Sequence, residues 1–318
     1  MNLVVLGMGY SAAAFVAQAK NDVSSVTATV RSAEKVQALA ATGIDAMVLN
    51  GTGFDARLPA AIHAADALLV SVPAEEGGDP VLPLLGEIIA AAPRLGWIGY
   101  LSTVGVYGDH QGEAVDESAA LRTTSPRGLR RIAAEEGWLA LGARSGKAVH
   151  VFRLAGIYGP GRNQLVALRE GTARRIIKPG QMFSRIHVDD IAGACLASLV
   201  RPEGGTIYNV ADDEPAPPQD VIACAASLLG LPPPPEEPFE TAQMSPMARS
   251  FYMDSRRILN RRLRRELGYV MRFPTYREGL SALFNAGEGR APAPPVRRAV
   301  PNRAIADRHK ERRDDHRP

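Results

Sequence analysis

The segment that decides the fold is residues 3–12, which read LVVLGMGYSA. Its four consecutive apolar residues, Leu3–Leu6, are typical of a strand that is covered on both faces. A turn with glycines at Gly7 and Gly9 follows directly, and an Ala-rich helical stretch follows the turn. The first glycine permits a tight turn, and the second lets another group approach the backbone closely. This spacing predicts a dinucleotide-binding unit, because the helix N-terminus offers unpaired N–H groups to a pyrophosphate.

The rest of the chain repeats this alternation of short apolar runs and helical stretches. Continuous apolar runs lie at 26–30, 46–49, 67–72, 97–101, 148–154 and 207–210. Ala-rich stretches with helical periodicity lie between them at 12–19, 33–41, 58–64, 81–92 and 126–141. Runs without polar alternation indicate strands buried on both faces. The sequence therefore predicts an α/β fold of the Rossmann type, with a doubly wound parallel sheet of about seven strands.

The composition changes after this sheet and predicts a division into domains. The dinucleotide-binding domain is expected at 1–165, completed by 186–213, with a smaller C-terminal substrate domain built from 166–185 and 214–286. Within the latter, 254–268 places apolar residues at helical spacing beneath arginines, which favours an amphipathic helix. Residues 287–318 carry nine basic and five acidic residues with almost no large apolar ones, which predicts a disordered basic tail.

Charge and composition exclude several function classes. The whole chain carries a net charge of +3, and the excess lies in the tail, so the body is nearly neutral and offers no broad nucleic-acid or anionic-membrane surface. No apolar run approaches the roughly 18 residues of a membrane helix. The N-terminus lacks the features of a signal peptide. The two cysteines form no CxxC pair, and the six histidines show no metal-ligand spacing. We expect a soluble, cytoplasmic protein without a metal that acts on a small molecule.

The end of the second predicted strand bears on which dinucleotide is bound. NAD sites place an acidic residue there to bind the ribose 2′-hydroxyl, whereas this chain has Arg31 and Ser32. A guanidinium attracts the 2′-phosphate of NADP, so NADP is expected rather than NAD, although a surface arginine on a loop is the alternative explanation. The predicted cofactor-binding residues are Gly7, Gly9, Tyr10, Ser11, Ala12, Arg31, Ser32, and Val72 and Pro73 after the fourth strand.

Further motifs follow in a fixed order along the chain. They are LSTVGVYG at 101–108, FRLAGIYGPGR at 152–162, RIHVDDIA at 185–192, YNV at 208–210 and ELGY at 266–269. With the glycine turn, these motifs resemble the extended, atypical short-chain dehydrogenase/reductase superfamily in its NAD-dependent epimerase/dehydratase branch. The resemblance covers residues 1 to about 286. It implies hydride transfer between a nicotinamide and a substrate carbon, and a homodimer packed through residues 107–141.

The resemblance also implies a catalytic set of a Ser or Thr, a Tyr and a Lys four residues after the Tyr. Thr103 matches the Ser/Thr that hydrogen-bonds the substrate oxygen. Arg127 stands where the family has Tyr, and Arg131 stands where it has Lys. Arginine stays protonated near neutral pH, so Arg127 cannot act as the acid or base. Arg131 remains a candidate for binding the cofactor ribose or a phosphate.

Other side chains are therefore candidates for proton transfer. Tyr107, Tyr158 and His187 carry groups that transfer protons in enzymes, although each lies in a motif that also serves structure. Arg127 and Arg162 are candidates for binding a phosphorylated or carboxylated substrate. Arg153 lies inside an apolar strand, so a contact with such a ligand and a structural salt bridge explain it equally well.

Two functions follow from these observations. The first is an NADP-dependent oxidoreductase or epimerase-like enzyme that acts on a small polar substrate, sugar-derived or phosphorylated. The second is a catalytically silent NADP-binding sensor or regulatory protein, which the two arginines in place of Tyr and Lys favour.

Overall fold

The computed structural model describes residues 1–51, 53–202 and 204–290. Within these ranges the strands are β1 (Asn2–Leu6), β2 (Ser25–Val30), β3 (Asp45–Asn50), β4 (Gly53–Phe54), β5 (Ala67–Val70), β6 (Trp97–Thr103), β7 (Ala114–Val115), β8 (Ala148–Leu154), β9 (Gly156–Tyr158), β10 (Arg175–Ile177), β11 (Arg185–His187), β12 (Thr206–Val210), β13 (Glu236–Pro238) and β14 (Arg257–Ile258). The helices are α1 (Tyr10–Ala19), α2 (Ala33–Ala40), α3 (Leu58–His63), α4 (Leu82–Ala91), α5 (Pro126–Ser145), α6 (Gln164–Arg169), α7 (Val188–Leu199), α8 (Pro218–Leu229), α9 (Pro246–Phe251), α10 (Arg261–Leu267) and α11 (Tyr276–Asn285), with a 3₁₀ turn at Val104–Tyr107.

In the described part of the chain, eight strands form the central sheet in the order β12-β8-β6-β5-β1-β2-β3-β4. Every neighbouring pair is parallel except β3 and β4. The predicted Rossmann-type sheet is confirmed, and all seven predicted strands are present; the two-residue β4 is an antiparallel addition at the edge. The chain order reverses between β1 and β5, and ligands bind beyond the carboxyl ends of the strands at such a point.

Helices cover both faces of the sheet, which explains the continuous apolar runs. In β1, Leu3 and Val5 belong to one apolar core, whereas Val4 and Leu6 belong to the other. Strand side chains alternate between faces, so a strand with a core on each side is apolar throughout. Stacked aromatic pairs anchor both layers: Phe15–Trp97 at 6.1 Å on one face and Tyr100–Trp138 at 5.9 Å on the other. Burying each such side chain stabilises the fold by about 2–3 kcal/mol.

Smaller units lie beside this sheet. Strands β9 and β11, β10 and β13, and β7 and β14 form parallel pairs. Helices α6, α8 and α11 enclose a third apolar core that includes Tyr158, Leu165 and Tyr276. Within the described ranges, none of the helices combines the length and hydrophobicity that crossing a bilayer requires.

Two sequence predictions need correction. The predicted helix over 254–268 begins only at Arg261, because Arg257–Ile258 forms β14 and pairs with β7. The Ile258 N–H also donates to Ser184 Oγ at 3.0 Å, so tertiary pairing overrides the local helical spacing. Residues 287–290, predicted as the start of the tail, pack on the body, since the Glu288 carboxylate accepts from the Gly161 N–H and the Asn163 side chain. The rest of the predicted disordered tail, 291–318, lies outside the described residues.

A buried ion pair joins α5 to the carboxyl end of the sheet. Arg153 in β8 contacts Glu135 in α5 with Nη2–Oε2 at 2.7 Å, and the two side chains are 4% and 3% exposed. The Ser102 hydroxyl donates to the same carboxylate, and Arg153 Nη1 donates to the Tyr107 hydroxyl at 2.9 Å. The tyrosine in turn donates to Asn209 Oδ1 at 2.8 Å. Because register places Ser102 and Asn209 on either side of Arg153, this network crosses three neighbouring strands.

This pair predicts that removing a buried carboxylate lowers the free energy of unfolding far more than removing an exposed one. We expect Glu135→Gln to lower the free energy of unfolding by about 3–5 kcal/mol, because it leaves the Arg153 charge buried without its counter-ion. The control is Glu87→Gln, which removes the partner of Arg144 in an exposed pair and should cost less than about 1 kcal/mol. Urea denaturation followed by circular dichroism measures both values. Equal losses in the two variants would contradict the role given to the buried pair.

Candidate functional site

The glycine turn after β1 is held by both neighbouring strands. Gly7 has φ of +91°, a left-handed conformation that favours glycine. A Cβ built there would lie 2.9 Å from Val72 Cγ2, so a side chain would collide with the segment after β5. Thr29 in β2 accepts from the Gly7 N–H through its hydroxyl at 2.9 Å and from the Met8 N–H through its carbonyl at 2.8 Å. The turn is therefore fixed before any ligand binds.

The second glycine leaves room beside the start of α1. A Cβ built on Gly9 meets no described atom closer than Ser71 Oγ at 4.0 Å. Gly9 is the N-cap of α1 and has no side chain to satisfy the first N–H groups of the helix. Ser11 and Ala12 in the first turn are buried against the sheet. Open space and unpaired N–H groups at a helix N-terminus fit the pyrophosphate of a dinucleotide.

Tyr10 and Arg162, two predicted site residues 152 positions apart, meet at this helix end. The Tyr10 hydroxyl donates to the Pro160 carbonyl at 3.0 Å. The Arg162 guanidinium lies 5.9 Å from the centroid of the Tyr10 ring and is exposed. A guanidinium beside a helix N-terminus can bind an anionic group. Arg127, by contrast, lies exposed in the first turn of α5.

The carboxyl end of β2 carries an ion pair that the sequence analysis did not anticipate. Arg31 Nη2 lies 2.5 Å from Glu75 Oε1, and the side chains are 63% and 48% exposed. Both residues line a small pocket, together with Asn50 at the end of β3 and Val72 after β5. Ser32 begins α2 as its N-cap, without a side-chain capping bond. Pro73 is exposed beside Val72.

Thr103 is the last residue of β6 and is partly exposed. Its hydroxyl accepts a hydrogen bond from the Gly105 N–H at 3.1 Å and caps the following 3₁₀ turn. None of the described residues accepts a hydrogen bond from the Thr103 hydroxyl. Thr103 can therefore donate to a substrate oxygen while the turn holds its side chain in place.

The two arginines of α5 that replace the family's Tyr and Lys have different surroundings. Arg131 is buried, and its Nη1 donates to the Tyr100 hydroxyl at 2.9 Å and to the Leu101 carbonyl at 3.1 Å. Arg127, Arg131 and Glu135 are spaced four residues apart and so share one face of α5. On this face, Arg131 is thus bound to β6, and Glu135 is bound to Arg153.

The three predicted proton donors are engaged inside the fold. Tyr107 is fully buried within the Arg153 network, and burial raises the pKa of its phenol. Tyr158 donates to the Thr275 carbonyl at 3.5 Å, and burial raises its pKa as well. Neither phenol is poised to release a proton near neutral pH.

His187 has a structural role of its own. Its Nδ1 accepts from the Asp189 N–H at 3.1 Å and thereby caps α7. The ring centroid lies 4.2 Å from that of Phe273 and 5.2 Å from that of Tyr158. Desolvation lowers the pKa of the imidazole, which favours its neutral form. Catalytic roles for His187 and the two tyrosines stay predictions.

Asp212 is an unusual acid that no sequence motif singles out. It follows β12 within the run Asp212-Asp213-Glu214, and such runs are ordinarily solvated. Its residue is 1% exposed, and its backbone N–H donates to the Arg185 carbonyl at 2.7 Å. Burial raises the pKa of its carboxyl to about 8, although the Arg185 guanidinium acts in the opposite direction. Burial therefore favours the protonated form of the Asp212 carboxyl.

The comparisons with known proteins agree with this geometry. A model of the NAD dependent epimerase/dehydratase family matches residues 84–211. Protein YeeZ from Escherichia coli (strain K12) is 30% identical over 273 residues, which cover 78% of this chain and 88% of that protein. The chain belongs to the NAD-dependent epimerase/dehydratase family. The predicted resemblance is confirmed, and the placement of the dinucleotide at the glycine turn stays a prediction.

Two further relatives show how far the likeness extends. A 3-diazoavenalumate denitrifying reductase from a Streptomyces species is 32% identical over 189 residues, which cover 52% of this chain and 58% of that enzyme. A conserved protein of unknown function from Silicibacter pomeroyi DSS has a solved structure with 46% sequence identity and a TM-score of 0.80. The match covers 90% of this chain and 99% of that one, so the whole described fold is shared.

The two glycines of the turn should respond differently to the same substitution. We expect Gly9→Ala to leave the melting temperature nearly unchanged and to weaken NADPH or NADH binding about tenfold or more, because the new methyl group occupies the pyrophosphate's approach. Gly7→Ala is the matched comparison and should lower stability by about 1–3 kcal/mol, since the new Cβ is strained and meets Val72. Thermal melts and dinucleotide titrations test both. Unchanged affinity in Gly9→Ala would contradict the placement of the pyrophosphate.

Asp212 predicts a pH dependence of stability. The pKa of the Asp212 carboxyl in the folded protein lies above its unfolded value near 3.8. Its contribution to the free energy of unfolding is therefore fully present below about pH 4 and is lost as the pH rises toward 8. We expect the free energy of unfolding of the wild type to fall relative to Asp212→Asn across this window. Asp22→Asn, at an exposed position, is the control. Parallel pH profiles for the wild type and Asp212→Asn would show that the carboxyl is not protonated in the folded state.

Proposed function

We propose that this chain is an NADP(H)-dependent reductase of a small polar substrate. The observation that carries the proposal is the preformed cofactor site: a fixed glycine turn and an open helix N-terminus, with Arg31 at the end of β2. The reductase relative from Streptomyces supports the direction of the reaction. A bound nicotinamide would supply the hydride.

The chain's own residues bind and orient the reactants. The N–H groups at the start of α1 bind the pyrophosphate, and Arg31 binds the 2′-phosphate. Thr103 donates to the substrate oxygen at the carboxyl end of β6, where its capping bond to Gly105 fixes the hydroxyl. The exposed guanidiniums of Arg127 and Arg162 suit a phosphorylated or carboxylated substrate.

The proton that accompanies the hydride has a different source from that in most of the family. Arg127 and Arg131 retain their protons, and Tyr107 and Tyr158 have raised pKa values and buried hydroxyls. We infer that water delivers this proton, with the Thr103 hydroxyl holding the substrate oxygen. A proton taken from water predicts slow turnover on ketones and favours more reactive hydride acceptors.

The second candidate function is a cofactor-binding sensor. The contacts of Arg131 favour it, because this side chain holds the β6 backbone at a position where the family has a catalytic lysine. Such a protein would bind NADP(H) without turning over a substrate.

Isotope transfer separates the two functions. Purified protein is incubated with NADPH that carries deuterium at both C4 positions and with a cytosolic metabolite extract, and products are followed by mass spectrometry. We expect one deuterated product that requires both protein and cofactor. Thr103→Val, which keeps the side-chain shape, should lower its rate of formation about 10²-fold without changing NADPH affinity.

The matched variant for the cofactor is Arg31→Asp. It should weaken NADPH binding at least tenfold and leave NADH binding far less affected, because only NADPH carries the 2′-phosphate. Equal losses for the two dinucleotides would show that Arg31 does not bind that phosphate. Retention of NADPH with no deuterated product would instead support the sensor.

A further inference from the structure

An acidic side chain stands at the place where the structure offers Arg31 to a cofactor. Glu75 belongs to the loop between β5 and α4, 44 residues beyond Arg31 in the sequence. Its Oε1 lies 2.5 Å from Arg31 Nη2, and both side chains border the pocket that Val72 and Asn50 also line. A Cβ built on Gly7 would lie 2.9 Å from Val72 Cγ2, so this pocket adjoins the glycine turn. The carboxylate therefore lies on the cofactor side of the sheet.

The loop holds the Glu75 backbone in a defined place. The Glu75 N–H donates to the Gly78 carbonyl at 2.8 Å, and the Gly78 N–H donates back at 3.0 Å. Asp79 then accepts from the Val81 N–H at 2.8 Å and from Trp138 Nε1 at 2.9 Å, which ties the loop to α4 and α5. The position of the carboxylate thus follows from a hydrogen-bonded turn, while its exposed end is able to turn toward or away from Arg31.

We propose that Glu75 determines the choice between NAD(H) and NADP(H), an inference that rests on the proposed cofactor site. A dinucleotide with a free ribose 2′-hydroxyl donates a hydrogen bond to the Glu75 carboxylate, and the pair with Arg31 stays intact. A dinucleotide with a 2′-phosphate takes Arg31 as its partner, and Glu75 has to turn away. The two anions compete for one guanidinium.

The energies of these two arrangements are close. An exposed ion pair contributes little to stability, so replacing the Glu75 carboxylate by a phosphate as the partner of Arg31 costs little. The phosphate nevertheless meets a neighbouring negative charge, whereas the ribose hydroxyl gains a charged hydrogen-bond acceptor. The Arg31–Glu75 pair consequently narrows the preference for NADP(H) that Arg31 alone would give. The wild type should bind both dinucleotides with affinities within about tenfold of each other.

The test compares two neighbouring carboxylates on the same loop. Dissociation constants for NADPH and NADH are measured by fluorescence titration or calorimetry for the wild type, Glu75→Gln and Glu76→Gln. Glu76 is exposed and adjacent, so its variant makes the same change in net charge. We expect Glu75→Gln to tighten NADPH binding about tenfold and to weaken NADH binding about tenfold. Glu76→Gln should change both constants in the same direction and by less than about threefold.

The outcomes separate this inference from the proposed function. If the wild type binds a dinucleotide and Glu75→Gln behaves like Glu76→Gln, the role of Glu75 is wrong and the cofactor site stands. If the wild type binds neither dinucleotide, both proposals fail. A third variant, Arg31→Gln combined with Glu75→Gln, should lose the gain in NADPH affinity; retention of that gain would show that the effect does not pass through Arg31.

Discussion

The ion pair between Glu135 and Arg153 joins the elements on which the rest of the site depends. Through Ser102 and Asn209 it connects β6, β8 and β12, and through Tyr107 it holds the 3₁₀ turn that follows Thr103. An ion pair that is almost completely buried is stable only when its remaining donors and acceptors are satisfied, because desolvation of both charges is expensive. The polar groups under the carboxyl end of the sheet therefore stabilise the fold only as a complete set.

This network also limits which side chains of α5 can reach a substrate. Glu135 and Arg131 on the inner face bind the sheet, and Arg127 one turn before Arg131 remains exposed. In most of the family this helix carries the Tyr and Lys of proton transfer. In this chain, two of these three positions, Arg131 and Glu135, make structural contacts instead. In the proposed mechanism, hydride transfer therefore depends on Thr103 and the dinucleotide rather than on a tyrosine.

The two charged pairs, Arg153–Glu135 and Arg31–Glu75, have different consequences because they differ in exposure. Arg153 and Glu135 are nearly inaccessible, so their contact fixes the architecture. Arg31 and Glu75 are about half exposed, so solvent weakens their contact and a ligand is able to exchange it. The same pairing of residue types thus gives a rigid support in one place and an adjustable contact in the other.

The sequence by itself determined the parallel sheet, the glycine turn and the family, because strand burial and turn geometry depend on residues close together in the chain. The sequence also identified Arg31 as a candidate for binding the cofactor 2′-phosphate. For Arg153 it left two explanations open, a ligand contact and a structural salt bridge. Only the tertiary structure decided that Arg153 binds Glu135, that Glu75 faces Arg31 and that Asp212 is buried. Packing between segments far apart in the chain sets the dielectric surroundings and the partner of each charge, and no local spacing encodes either.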